Sequence, residues 1–156
     1  MLQGVYNGVK QVGAAVQSPL LLLIRVYWGY QFAIAGVGKL QQLDSTAAFF
    51  QTLHIPFPAT NAIMAGSTEM IGGLLFFFGL FSRIISIPLF FVMLVAYLTA
   101  GLDALTPLLT QLDPEPFLSA SPFLFLYAAV LIFSFGPGKI SIDYWLTGAY
   151  KNKEMP

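Results

Sequence analysis

Long apolar stretches alternate with short polar segments along this chain. Four of the apolar stretches can form helices that cross a hydrocarbon core of about 30 Å, at about 1.5 Å per residue. The predicted spans are residues 19–39, 59–81, 83–101 and 117–135, and the fourth begins at Phe117 or Pro122. The pattern therefore predicts an all-α fold: an integral membrane four-helix bundle with short interfacial segments.

The predicted bundle, residues 19–138, lies between two surface segments. Residues 1–18 are expected to form a cytoplasmic surface segment, because valines at helical spacing precede Ser18–Pro19, a pair typical of a helix start. Residues 139–156 are expected to form a cytoplasmic interfacial tail with a short helix and frayed final residues.

Polar residues at the edges of the apolar stretches predict where several helices begin. Asp44 or Ser45 is expected to cap a short helix between the first two spans, and Ser82 to cap the third span. Asp143 is expected to open the short helix of the tail. Residues 102–116, an acidic loop with three prolines, are expected to form an ordered cap or a mobile flap.

Composition and charge support the membrane prediction. Hydrophobic residues make up 57% of the 156 residues, charged residues only 9%, and the mean hydropathy is +0.76. Soluble domains carry about a quarter charged residues, so the apolar excess here must face lipid. Seven basic and seven acidic residues cancel, which gives no reason to expect nucleic-acid binding. The chain has no Cys, which excludes disulfides, thiolate metal sites and dithiol redox chemistry on it.

The basic residues outside the spans predict the orientation. With four spans, the N-terminus, the second loop and the C-terminus share one side, whereas the other side has only Lys39 beside the acidic third loop. The positive-inside rule therefore places both termini in the cytoplasm. The basic residues on that side are Lys10, Arg83, Lys139, Lys151 and Lys153.

Two predicted spans contain ionisable residues among glycines. Such residues are costly in a membrane and indicate a functional site. Helical offsets place one set on a face of the first span and a second set on a face of the second span. The glycines allow neighbouring helices to approach closely, so each face is expected to pack inside the protein. The first set is Arg25, Gly29, Gly36 and Lys39, and the second is Gly66, Glu69 and Gly73.

We predict a polar pocket formed by Arg25, Lys39 and Glu69, with Arg25 as the partner of Glu69. Their backbones differ in depth by roughly 9 Å, so contact is expected to be direct or to pass through water or a ligand group. Lys39 is expected to lie farther away, near the outer boundary. The alternative is that Arg25 reaches the membrane surface, while Glu69 is protonated or hydrogen-bonded to a neighbouring helix.

His54 is the one histidine of the chain, and it lies outside every predicted span. An interfacial polar residue is the simplest interpretation, because a ligand role needs partners that the sequence does not show. We therefore predict no metal site, and no haem, flavin or nicotinamide site is evident.

Four groups of residues follow one another in a set order and spacing along the chain. These are Arg25, Gly29, Phe32, Gly36 and Lys39, then H-I-P-F-P at 54–58, then Glu69, Gly73, Gly79 and Arg83, and finally G-P-G-K-I-S-I-D at 136–143. In the order and spacing of these motifs, the chain resembles the DoxX family of small four-span bacterial membrane proteins from about Leu20 to Trp145.

The resemblance implies a multi-pass protein of the bacterial inner membrane and an association with respiratory redox chemistry. Relatives in this family are named for subunits linked to a quinol oxidase and to thiosulfate:quinone oxidoreduction, and some act beside sulfur-transfer or superoxide-handling partners. By this analogy Arg25, Lys39 and Glu69 would line the site, and quinone would be the carrier. Whether the chain is itself an enzyme stays open, because it has no catalytic motif of its own.

Three functions remain open at this point. The first is a membrane subunit of a quinone-linked oxidoreductase system. The second is a proton-coupled small-molecule transporter, for which four spans would require a homo-oligomer. The third is a membrane anchor or assembly protein for a catalytic partner.

Overall fold

The computed structural model of the chain describes residues 2–151, and the side chains of residues 3–148. Every regular element in this part of the chain is an α-helix, which confirms the predicted all-α fold. The helices are α1 Leu2–Gln41, α2 Leu43–Thr52, α3 Pro58–Phe78, α4 Ser82–Ala100, α5 Leu102–Gln111, α6 Glu115–Ser119, α7 Pro122–Phe135 and α8 Ile142–Lys151.

Four of the helices form a closed bundle. Helix α1 packs against α3, α3 against α4, α4 against α7, and α7 against α1. Their inward faces meet in a core that includes Phe32, Phe76, Leu89 and Ile132. The outward faces are apolar as well: Leu23, Ile71, Phe91 and Phe133 are each at least half exposed. A bundle that is apolar both inside and outside fits a lipid environment.

The lengths of the bundle helices agree with a membrane location. Helices α1, α3 and α4 are long and apolar enough to cross a membrane. Helix α7 is apolar but has 14 residues, a length of about 21 Å. It begins at Pro122, the later of the two predicted starts, because proline cannot donate the hydrogen bond that would continue a helix from α6. Ala120 is correspondingly extended, with ψ of 138°.

The predicted helix start at Ser18–Pro19 is wrong. Helix α1 continues through Pro19 without a break, and the side chain of Ser18 accepts a hydrogen bond from the backbone N–H of Lys139 at 3.3 Å. The neighbourhood of Pro19 is largely exposed, so water can satisfy the carbonyl group that proline leaves without an intrahelical donor. Residues 1–18 are thus mostly the first part of α1.

Two predicted caps are also wrong. Neither Asp44 nor Ser45 caps α2. The hydroxyl of Ser82 does not cap α4; the carboxylate of Asp143 does so instead, by accepting hydrogen bonds from the backbone N–H groups of Phe81 at 2.7 Å and Ser82 at 2.9 Å. Asp143 therefore connects α8 to the start of α4, a tertiary contact that local spacing does not reveal.

The acidic third loop is ordered as α5 and α6, in line with the ordered-cap alternative. In the tail, α8 begins at Ile142, where the hydroxyl of Ser141 accepts a hydrogen bond from the N–H of Tyr144 at 3.2 Å. The final residues are predicted to be frayed, but residues 152–156 lie outside the described part of the chain, so this prediction stays untested.

Candidate functional site

The contact between α1 and α3 is built on glycine. A Cβ atom on Gly29 would lie 2.6 Å from the backbone nitrogen of Phe77, and one on Gly73 would lie 2.7 Å from the carbonyl oxygen of Gly29. A Cβ atom on Gly36 would lie 2.5 Å from the carbonyl oxygen of Gly66. The two backbones therefore touch, and side chains that flank this contact are held at fixed depth.

The pairing of these glycines defines an antiparallel register. Gly29 lies opposite Gly73, and Gly36 lies opposite Gly66. In a helix each Cα–Cβ bond tilts toward the N-terminus. In this register the tilt directs Lys39 on α1 and Glu69 on α3 toward each other. The glycine contact thus places an ammonium group beside a carboxylate.

The structure pairs Glu69 with Lys39. The Nζ atom of Lys39 donates a hydrogen bond to Oε2 of Glu69 at 2.5 Å. The Glu69 side chain is 1% exposed and the Lys39 side chain 30% exposed. The second carboxylate oxygen, Oε1, is buried and has no hydrogen-bond partner in the described part of the chain. An unpaired buried acceptor is costly, so this oxygen is available to a ligand or to a proton.

The Lys39–Glu69 pair lies in the wall of a cavity of about 500 Å³. Side chains of α1, α2, α3, α4 and α7 line it, and most of them are apolar. A few polar groups lie among them, chiefly Asn61 and Thr68 of α3, two lining residues that sequence reasoning missed. Apolar lining residues include Phe50, Leu53, Met93, Ala96 and Phe125. An apolar cavity with few polar groups is the usual form of a small-molecule site.

Arg25 does not meet Glu69, and the prediction that it does is wrong. Its guanidinium donates to the carbonyl oxygens of Pro137 at 3.3 Å and Ile140 at 2.7 Å, which lie in the segment before α8. It also lies against Gly79, where a Cβ atom would be 2.5 Å from Cζ of Arg25. The reason is the register: Arg25 lies opposite the end of α3, and its Cα–Cβ bond tilts away from Glu69.

The glycine spacing could have revealed this arrangement. Alignment of Gly29 with Gly73 and of Gly36 with Gly66 brings Lys39 near Glu69 and sends Arg25 beyond α3. Depths counted from the predicted ends of the spans do not include this glycine alignment, and they therefore place Lys39 too far from Glu69. Gly29, Gly36, Gly66 and Gly73 lie at the helix contact and not in the cavity.

His54 is exposed, and its neighbours Leu53 and Ile55 line the cavity whereas it does not. Among the residues that the structure describes, no group of three or more His, Asp or Glu side chains could hold a metal ion. Lys39 and Glu69 can offer hydrogen bonding and proton exchange to a molecule in the cavity.

Comparison with known proteins identifies the family of this chain. The family model DoxX matches residues 20–102, a range that contains Arg25, Lys39 and Glu69. A protein of Bacillus subtilis (strain 168) named "Putative oxidoreductase CatD" is 32% identical over 117 residues, which cover 67% of this chain and 86% of that protein. No solved structure gives a significant match. The chain, a bundle of apolar helices with an ion pair between α1 and α3, therefore belongs to the DoxX family of membrane proteins.

Proposed function

We propose that this protein is a membrane subunit of a redox system, and that the cavity beside Lys39 and Glu69 binds quinone or a similar lipid-soluble carrier. The observation that carries the proposal is the ion pair between the buried Glu69 and the partly exposed Lys39, in the wall of an apolar cavity of about 500 Å³. The name of the Bacillus subtilis relative, which includes "oxidoreductase", supports the redox assignment.

The residues around the cavity fit such a carrier. The volume is within the range of about 300–1,000 Å³ that is usual for small-molecule sites. Apolar side chains suit a lipid-soluble ring, and the ammonium of Lys39 can donate a hydrogen bond to a ring oxygen. The unpaired Oε1 of Glu69 can accept a hydrogen bond or a proton. A bound quinone would supply the capacity to take up two electrons and two protons.

The two charged residues have different parts in proton exchange. Glu69 is buried, so it can hold a proton at the cavity wall without direct access to water. Lys39 is partly exposed and hydrogen-bonded to Glu69, so it can connect that carboxylate to water. Because the chain has no Cys, a thiol relay on this chain is excluded. Electrons would come from a redox or sulfur-transfer partner protein.

We further propose that the protein lies in the bacterial inner membrane with both termini in the cytoplasm. Hydrogen bonds bring the residues around Ser18, Phe81 and Lys139 to one end of the bundle. That end carries the basic residues Arg83 and Lys139. The opposite end carries Lys39, which is paired with Glu69, and the acidic segment of α5 and α6. The positive-inside rule favours the first end as cytoplasmic.

Equilibrium dialysis of the purified protein against a short-chain ubiquinone or menaquinone analogue tests the carrier proposal. We expect saturable binding, which Glu69→Gln weakens about tenfold or more because a hydrogen bond to a charged group is lost. Ala96→Phe places a large side chain in the cavity and keeps the ion pair, and it should abolish binding. Glu115→Gln, the same change at an exposed carboxylate of α6, is the matched control.

Two results would reject the proposal. One is the absence of saturable binding to the folded wild-type protein. The other is equal affinity of the wild type, Glu69→Gln and Ala96→Phe. Solute flux driven by a pH gradient in proteoliposomes, without carrier binding, would instead favour the transporter alternative.

A further inference from the structure

A second cavity, of about 560 Å³, lies at the opposite end of the bundle from the Lys39–Glu69 pair. It is bounded by α1 near Ser18, by the first turn of α4, by the segment 136–139 and by α8. The proposed function does not use this cavity. Its position at the ends of the apolar helices places it where the hydrocarbon core meets the polar headgroups.

Two basic side chains, Arg83 and Lys139, line this cavity. The single hydrogen bond of the Arg83 side chain within the described residues goes to the carbonyl oxygen of Ser134, at the long distance of 3.5 Å. Most donors of its guanidinium therefore remain available for an anion. The guanidinium lies over Gly136, where a Cβ atom would be 3.3 Å from Nε and Nη2, so the absence of a side chain makes room for it.

One acidic side chain, Asp143, also lines the cavity. Both of its carboxylate oxygens accept backbone hydrogen bonds at the start of α4, from Phe81 and Ser82. Each oxygen of Asp143 is thus engaged by a backbone N–H group, whereas Arg83 and Lys139 supply the positive charge that can meet an anion. The hydroxyl group of Tyr144 lies nearby and can act as a further donor, whereas the hydroxyl of Thr147 already donates to the carbonyl oxygen of Asp143 at 2.7 Å.

Most of the remaining lining residues are apolar, and the exceptions are Gln17 and Ser18 of α1. Leu21, Ile84 and Phe135 face the cavity from α1, α4 and α7. A small soluble anion would gain little from this surface. A phospholipid carries a phosphate next to apolar acyl chains, and basic pockets between membrane helices bind anionic headgroups.

From this combination we propose that the second cavity binds a phosphate group, presented by the headgroup of an anionic phospholipid. Arg83 holds the phosphate through its free N–H groups, Lys139 adds a second positive charge, and the apolar residues contact the start of the acyl chains. Such a lipid would contact α1, α4, α7 and α8 together.

Native mass spectrometry of the protein in mild detergent tests this proposal, with phosphatidylglycerol and phosphatidylcholine as the lipids. We expect phosphatidylglycerol to bind more tightly, and Arg83→Gln and Lys139→Gln each to weaken its binding about fivefold. Arg83→Lys keeps the charge and should retain most of the binding, which separates loss of the site from misfolding. Lys10→Gln removes a charge from an exposed position of α1 outside the cavity and should have no effect.

A competition with inorganic phosphate distinguishes the two sources of the anion. If millimolar phosphate fails to displace phosphatidylglycerol, the lipid is the ligand, as proposed. If phosphate alone displaces it completely, the lipid source is overturned and a free-phosphate site replaces it. Equal binding of both lipids, or the same loss in Lys10→Gln as in Arg83→Gln, would overturn the phosphate site altogether.

Discussion

Glu69 and Arg25 are both almost completely buried, but they are satisfied in different ways. Glu69 is paired with Lys39 and keeps one carboxylate oxygen without a partner among the described residues. Arg25 donates to two backbone carbonyl groups and fixes the segment that precedes α8, although its Nε atom is also without a partner among the described residues. Glu69 has an unpaired acceptor in a cavity wall and is therefore suited to bind a ligand. Arg25 holds a loop in place, which is a structural role. The two residues therefore call for different tests.

Removal of one partner of the ion pair should cost more stability than removal of both. Lys39→Met leaves the Glu69 carboxylate buried and unpaired, and we expect it to lower the free energy of unfolding by about 3 kcal/mol. The double variant Lys39→Met with Glu69→Met places apolar groups in an apolar wall and should lie close to the wild type. Unfolding by SDS in mixed micelles measures both. Equal losses in the single and double variants would contradict the pairing.

Arg25→Lys should loosen the end of the bundle without affecting the carrier cavity. A lysine cannot donate to the carbonyl groups of Pro137 and Ile140 in the fork geometry of a guanidinium. We expect a loss of about 1.5–3 kcal/mol and faster proteolysis within residues 136–141. Arg83→Lys, the same exchange at an exposed arginine, should change stability by less than about 0.5 kcal/mol. Weakened quinone-analogue binding in Arg25→Lys would restore the original pairing hypothesis.

At the scale of the element, the α1–α3 contact determines the site. Periodicity alone predicted that glycines and ionisable residues share a face on each helix. Periodicity within each helix does not predict how far α1 is shifted along α3, because that shift depends on which glycine of α1 contacts which glycine of α3. Gly36 against Gly66 is one such contact, and it brings Lys39 to Glu69. The caps were also missed, since Asp143 reaches α4 from a position about 60 residues later in the chain.

Two glycines on α1 provide a matched pair of variants for this contact. Gly36→Ala would push a Cβ atom into the backbone of α3, and we expect a loss of about 1–3 kcal/mol in unfolding free energy. Gly38 faces open space, so Gly38→Ala should be neutral or stabilise the helix by up to about 1 kcal/mol. The same SDS titration measures both changes. Similar effects of the two substitutions would show that the helices do not approach closely at Gly36.

At the scale of the whole molecule, hydropathy was sufficient for the architecture. The apolar stretches correspond to α1, α3, α4 and α7, and successive stretches are neighbours in the bundle. The cavity could not be foreseen, because its walls come from four separate helices and α2 covers it through tertiary packing. Pro19 was misleading because a proline that suits the start of a helix can also lie inside one, and α1 continues through Pro19 at a largely exposed position.

The proposed orientation can be tested by cysteine labelling, for which the chain offers a background without cysteine. Gln11→Cys on α1 and Thr110→Cys on α5 introduce thiols at exposed positions near opposite ends of the bundle. We expect a membrane-impermeant maleimide to label Thr110→Cys in spheroplasts and to label Gln11→Cys only after permeabilisation. The reverse pattern would place both termini outside the cytoplasm, and the unsubstituted chain serves as the control.

The most direct test of the central claim, that the cavity beside Lys39 and Glu69 holds a lipid-soluble carrier, is photoaffinity labelling with an azido-quinone followed by peptide mapping. The account predicts saturable labels on cavity residues such as Phe50, Thr68 and Met93, displaced by unlabelled quinone and reduced in Glu69→Gln. Labels at the Arg25 end of the bundle, or labelling that excess quinone does not displace, would contradict it.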